Sequence, residues 1–256
     1  MKRGYRAPNA AAEETGMKPE INVFSSAAGI AGFLFRFLAA KTAALGPGQY
    51  LDVALSGGKT PVKVFRALAG RKGLDWRRLR FFWGDERCAG ASSALSNYRA
   101  ARLSLLAPAG VPRANIYRIR GEAAPRGEAA RYSRLLKSLL PLSGGTPRFG
   151  LVLLGLGEDG HTASIFPGQT RLFSSKELFV PAAGPAGGPG RITATGRVIN
   201  AAENVFFMVT GASKAAAAAG VLLGRGGSAA LPAALVRPAG GRLVWLLDRA
   251  AASRLR

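Results

Sequence analysis

The amino-acid sequence predicts an α/β fold in which a mainly parallel sheet carries helices on both faces. Three observations lead there. Short apolar runs alternate with helix-like patterns from one end of the chain to the other, the order that parallel strands and their crossovers require. Several runs, such as "FGLVLLG" at 149–155 and "VFFMVTG" at 205–211, are apolar throughout, as strands covered on both faces are. A chain of 256 residues with 48% hydrophobic side chains can bury a sizeable core and is not a disordered segment.

The opening "MKRGYRAPNAAAEETGMKPE" is polar and lacks the apolar core of a signal peptide, so residues 1–20 read as a disordered tail before a single domain over 21–256. Strands are expected at 21–24, 50–55, 79–83, 149–155, 178–182, 191–195, 205–211 and 242–248. Helices are expected at 26–45, 61–69, 97–106, 122–139, 212–223 and 248–255. The first helix is apolar enough to suggest a membrane span, but Arg36 and Lys41 interrupt it, and both are costly in a bilayer. It reads instead as an amphipathic helix packed on a core. Thr60-Pro61 suits a helix start, with a hydroxyl cap and a proline in the first turn. The stretch "AAGPAGGPG" at 182–190 reads as a surface loop, because strand signals resume directly after it.

Composition narrows the function. Cys88 is the only cysteine, so no internal disulfide forms and a cytoplasmic location is expected. One histidine and no C-x-x-C pair exclude a His-rich or Cys-rich metal site, and nothing calls for a carboxylate magnesium site; no metal or cofactor is expected. The formal charge of +22 attracts anions, whether phosphorylated metabolites, nucleic acid or acidic membranes. The basic residues are scattered, with no dense run interleaved with aromatics, so they read as arginine on solvated faces and neither a nucleic-acid nor a membrane partner is expected.

In open α/β sheets ligands bind beyond the carboxyl ends of the strands, and four loops there carry chemistry. "SGGKTP" at 56–61 has glycines that let a backbone approach an anion and a helix start that points N–H groups at it; otherwise it is a plain strand-to-helix turn. It resembles the end of a nucleotide P-loop, but that motif needs glycine where Val53 stands. "WGDER" at 83–87 places Asp85, Glu86 and Arg87 at a strand end, where Arg87 suits an oxyanion or carboxylate and the bland alternative is a surface ion pair. "LVLLGLGEDGHTASIFPG" at 151–168 spells G-x-G-x-x-G, yet Pro167 and Gly168 cut off the long helix a dinucleotide loop needs. What remains is a tight turn presenting Asp159 and His161, a carboxylate able to orient an imidazole that activates water. A lone histidine is more often structural; this one lies in a loop after a buried strand. In "VTGASKAAAAAG" at 209–220, Lys214 opposes the helix dipole, a conflict that an anionic ligand removes.

Together, "SGGKTP", "DER" with "SNYR", "GLGEDGHTASIFP", "RITAT" before "VFFMVTGASKA", and "WLLDRAA" resemble the 6-phosphogluconolactonase family, within the superfamily shared with glucosamine-6-phosphate isomerase/deaminase. Each motif alone is common; their order over residues 21–252 is specific. The resemblance implies a three-layer α/β/α sandwich with a largely parallel central sheet. It also implies a cytoplasmic, metal-free enzyme of the oxidative pentose phosphate pathway that hydrolyses 6-phospho-D-glucono-1,5-lactone, as a monomer or weak homo-oligomer. The expected roles are His161 as general base, Asp159 as its orienting partner and Arg87 as the cation near the developing charge. Gly57, Gly58, Thr60, Arg191 and Lys214 are expected on the substrate phosphate, with Asp85 and Glu86 in support. Lys59 stands where the family commonly has serine, and Cys88-Ala89-Gly90 replaces a usual valine-proline pair. The deaminase branch has Glu where Phe166 stands and tyrosine at Arg87, so it is the nearer of two disfavoured alternatives, a basic nucleic-acid-binding domain being the more distant.

Overall fold

The chain alternates strand and helix along most of its length; the computed structural model describes residues 18–224 and 231–255. The strands are β1 (Glu20–Phe24), β2 (Leu51–Leu55), β3 (Leu79–Trp83), β4 (Asp85–Arg87), β5 (Leu142–Ser143), β6 (Thr146–Pro147), β7 (Leu151–Leu154), β8 (Phe179–Ala182), β9 (Arg191–Ala194), β10 (Asn204–Val209) and β11 (Arg242–Asp248). The helices are α1 (Ala27–Ala43), α2 (Lys59–Ala69), α3 (Asn97–Ala101), α4 (Pro125–Leu139), α5 (Gly196–Ala201) and α6 (Ala215–Leu223).

Six parallel strands form the central sheet in the order β1-β11-β10-β7-β2-β3. β2, β7 and β10 are buried at every position, which explains their unbroken apolar runs. Neighbouring residues of a strand face opposite ways, so Phe206 and Phe207 mark the two sides of the sheet. Phe33 and Phe37 of α1 meet Phe206 edge-on, with ring centres 5.8 and 4.7 Å away. α2 packs beside α1, burying Pro61, Val64, Phe65 and Leu68 at helical spacing. On the Phe207 side, the register carries through Leu154, Val152 and Ala54 to Phe82, which stacks on Tyr117 at 4.9 Å. Tyr132 of α4 reaches the same layer; its hydroxyl accepts the Trp83 N–H at 2.9 Å and its ring meets Phe179 edge-on at 4.9 Å. Helices therefore cover both faces, and the expected three-layer sandwich is found.

Several details differ from expectation. The 178–182 and 191–195 strands leave the parallel sheet and join β4 in a three-stranded antiparallel sheet, order β4-β9-β8. Asp85–Arg87 is thus a strand as well as a loop. The helix expected to 106 is α-helical only to Ala101 and widens into a π-helical turn over Arg102–Leu106. Thr60 is not a cap: α2 starts at Lys59 behind Gly58, and the Thr60 hydroxyl bonds that of Thr210 at 2.7 Å. Residues 249–254 make turns instead of the expected terminal helix, with the Asp248 carboxylate taking the Ala251 N–H at 2.7 Å. The β5–β6 hairpin is an addition to the expected strands, turned by Gly144-Gly145, both at positive φ and a strong two-residue turn signal. Of the tail expected over 1–20, residues 1–17 lie outside the described residues, and Glu20 already belongs to β1. Arg36 of α1 is exposed, and among the described residues no helix is long and apolar enough to cross a membrane.

One polar contact ties the sheet to its covering layer. Arg80 forks onto buried Asp52 of the neighbouring strand, at 2.6 and 2.9 Å, and also donates to the Leu139 carbonyl at 2.8 Å. Burial pushes the Asp52 carboxyl above its ordinary value, while the guanidinium pulls the other way. Removing one partner of a buried pair leaves an uncompensated charge, a loss of about 3–5 kcal/mol. Arg80→Leu is expected to lose that much in urea denaturation at neutral pH, and Asp52→Leu/Arg80→Leu to recover a large part. Without Arg80 nothing opposes the burial that raises Asp52, so its folded-state pKa lies higher still in the single variant; the deficit is full above that higher value and shrinks as the pH falls through it towards the parent's.

Candidate active site

The site follows from where the chain reverses direction across the sheet. From β2 it steps outward to β3, whereas from β7 it runs the other way through β10 to β11. The loops after β2 and β7 consequently diverge and leave a crevice at the strands' carboxyl ends. A cleft of about 430 Å³ opens there, lined by residues from 56–63, Asp85, Arg87, Asn97, the 155–163 loop and 208–214.

The 155–163 loop is built around its histidine. Gly157 N–H donates to the His161 carbonyl at 2.8 Å and Gly160 N–H to the Gly157 carbonyl at 3.1 Å, closing a tight turn with Gly160 at φ 79°. Asp159 Oδ1 takes both the His161 backbone N–H, at 3.1 Å, and its ring Nδ1, at 2.6 Å. Burial raises the Asp159 carboxyl, but these bonds outweigh it and hold the pKa below the ordinary value. An ionised carboxylate only accepts, so Nδ1 carries the proton and Nε2 is the free acceptor. Phe166 packs against the imidazole with ring centres 4.5 Å apart. Ala163, also in the cleft wall, is the one non-glycine among the described residues with positive φ, 48°.

The same cleft has a cationic, glycine-rich part. Gly57, Gly58 and Thr60 line the cleft, as does Lys214, and the structure adds Lys63 and Lys59, the latter expected only as a departure from the family's serine. Lys59 begins α2 and Lys63 follows one turn later, so both heads stand on the same side of the helix. Lys214 is the residue just before α6, and Glu158 Oε1 lies 3.7 Å from its ammonium. Gly211, at φ 98°, donates its N–H to both carboxylate oxygens of Asp248, at 3.1 and 3.0 Å, so the end of β11 anchors the Lys214 loop.

Asp85 and Glu86 prove to be different kinds of residue. Glu86 faces away from the cleft and is buried. It accepts backbone N–H groups from Arg87, Asn97 and Tyr98 at 2.8, 2.7 and 2.8 Å, and the Ser96 hydroxyl at 3.0 Å. It therefore caps α3 and pins the strand that presents Arg87. Burial raises its pKa, opposed by those N–H groups. Asp85 lines the cleft floor, where its carboxylate takes the Ser164 hydroxyl at 2.6 Å. Asn97, beside it, donates to the Asp85 carbonyl at 3.0 Å and lies so close to Gly57 that a Cβ there would overlap its carboxamide. Arg87 lines the cleft and donates to the Leu95 carbonyl. Arg191 is the cross-strand partner of Arg87 in the β4–β9 pair, so both side chains leave the same face, and its guanidinium donates to the Pro189 carbonyl at 3.3 Å. Burial and the neighbouring Arg87 charge both lower its pKa.

The profile of the family described as glucosamine-6-phosphate isomerases/6-phosphogluconolactonase matches residues 26–245. The chain belongs to that family. It is 41% identical over 195 residues to 6-phosphogluconolactonase of Treponema pallidum, covering 75% of this chain and 80% of that one. To the Synechocystis 6-phosphogluconolactonase it is 40% identical over 206 residues, covering 80% and 84%. The solved 6-phosphogluconolactonase of Trypanosoma brucei superposes with a TM-score of 0.82 at 32% identity, covering 94% of this chain and all of that one. In this family member the imidazole and its carboxylate share one glycine turn. A Cβ on Gly157 would overlap both His161 Nδ1 and Asp159 Oδ1. Gly157→Ala is expected to part them. With a single histidine in the chain, ¹⁵N NMR reads the change directly: a dominant Nδ1–H tautomer in the parent gives way to a mixture in the variant. An unchanged tautomer would mean that the turn tolerates the methyl.

Proposed function

We propose that this chain hydrolyses 6-phospho-D-glucono-1,5-lactone, the activity for which its relatives are named. The observation that carries the reading is the meeting of two chemistries in one cleft. An oriented imidazole and a glycine loop with three lysines line the same hollow.

His161 Nε2 takes a proton from water, whose oxygen attacks the lactone carbonyl. Asp159 holds the tautomer and stabilises the imidazolium that forms. Arg87 faces the oxyanion of the tetrahedral intermediate. When the ring C–O bond breaks, the imidazolium returns its proton to the departing ring oxygen. The backbone of Gly57 and Gly58, the Thr60 hydroxyl and the heads of Lys59, Lys63 and Lys214 receive the substrate phosphate, fixing the ring relative to the base. Arg191, the cross-strand partner of Arg87 on the same face of the small sheet, adds a further cation to the phosphate set. Asp85 and Glu86 support from below, the latter by holding Arg87. A deaminase would place a carboxylate where Phe166 packs its ring on His161, and that contact favours the lactonase.

His161→Ala is expected to lower the enzymatic rate by roughly a hundred- to ten-thousand-fold, with an unchanged melting temperature. Near-normal turnover, after correction for spontaneous lactone hydrolysis, would remove the histidine from the mechanism. Lys214→Ala is expected to lower kcat/KM for the phosphorylated lactone by roughly ten- to a hundred-fold. Glucono-1,5-lactone, lacking the phosphate, should change little with the same variant. Equal losses on both substrates would place the phosphate elsewhere.

A further inference from the structure

A second concave site lies on the far side of the small antiparallel sheet, between α4 and the segment leading into β8. It has a volume of about 550 Å³ and shares no lining residue with the catalytic cleft. Five cations line it: Arg126, Arg134 and Lys137 from α4, Lys176 before β8, and Arg197 from α5. The only carboxylate in the lining is Glu177.

These charges are uncompensated. α4 does carry an acid, Glu128, but it is buried and taken by Arg131 at 2.6 Å. Among the described residues none of the five cations forms an ion pair. Arg197 is held by neutral acceptors, the Thr146 hydroxyl at 2.8 Å and the Lys176 carbonyl at 2.7 Å, so its fork is fixed with its charge intact. A solvated basic face of one helix would be convex. Here three elements turn their cations towards one hollow, whose floor includes buried Ala129 and Leu178. Low-dielectric walls of one sign focus the field and concentrate anions. Balancing five cations against one carboxylate within so small a volume demands dense negative charge. Linked phosphoryl groups supply that density, and they match both the arginine fork and the lysine point charge.

We infer that this groove binds a ligand carrying consecutive phosphoryl groups, separately from the lactone cleft. The probes are tripolyphosphate, ATP, inorganic phosphate and a short single-stranded RNA, titrated calorimetrically at physiological salt. Three proteins are compared with the parent. One is the groove variant Arg134→Gln/Lys137→Gln/Lys176→Gln, whose side chains make no hydrogen bond among the described residues. The second removes equal charge elsewhere, Arg36→Gln/Arg113→Gln/Arg254→Gln. The third, Lys63→Gln/Lys214→Ala, disables the cleft.

Tripolyphosphate is expected to bind one to one, at least about tenfold weaker in the groove variant and within about twofold of the parent in the other two. Inorganic phosphate should bind at least about tenfold more weakly than tripolyphosphate. ATP tighter than tripolyphosphate identifies a nucleotide as the source; equal affinity identifies the phosphoryl chain alone. Lactone hydrolysis by the groove variant should match the parent. Equal losses in the groove and the charge-matched variants would reduce the effect to net charge and overturn the proposal. So would binding that vanishes only with the cleft disabled, or groove-dependent RNA binding tighter than that of tripolyphosphate.

Discussion

The reversal of chain direction between β2 and β7 is the constraint from which the rest of this protein follows. Those strands are hydrogen-bonded neighbours, yet their connections leave in opposite directions, so no crossover can cover the space between their ends. The loops that meet there carry the glycines and the catalytic pair. Had β7 continued outward beside β3, "SGGKTP" and "GEDGH" would stand apart, and neither could act on one small molecule.

What fills the gap is a joint of buried polar groups, not apolar packing. Glu86 takes four donors, three of them backbone N–H groups, and so joins β4 to the start of α3. Asn97 links that joint to Asp85 and rests against Gly57. Each bond to a carboxylate is worth more than a neutral one, and each buried donor left unmet costs about 1–3 kcal/mol. The loops that must meet the substrate are thereby set at fixed positions before it arrives, which suits a reaction whose main demand is an aimed water and a held ring.

Charge is arranged on the same plan. Acids inside the fold are spent on structure: Asp52 on Arg80, Glu128 on Arg131, Glu86 on backbone amides. Cations are left over, and the fold gathers some of them in two hollows. In the cleft, Lys59, Lys63 and Lys214 face glycine backbone; in the groove beside α4, arginines and lysines from three elements converge. The excess of base that composition records as +22 is therefore not evenly spread.

The sequence by itself determined the parallel core, because apolar runs covered on both faces can be recognised locally, and it determined the Asp159–His161 pair, because both residues lie in one glycine turn. Motif order over most of the chain made the family legible as well. Tertiary structure alone decided matters that depend on residues distant in the chain. Thr60 looked like a helix cap, but its hydroxyl finds Thr210 across the sheet. Arg191 lies far from Arg87 in the chain, yet antiparallel pairing sets the two cations side by side on one face of the small sheet. Glu86, beside Arg87 in sequence, turns the other way because successive side chains of a strand alternate and three N–H groups wait on its side. The groove beside α4 is assembled from residues 126 to 197, which no local pattern connects. Periodicity and turns report what a residue does with its neighbours in the chain; which charges meet, and around which hollow, is set by the packing of whole elements.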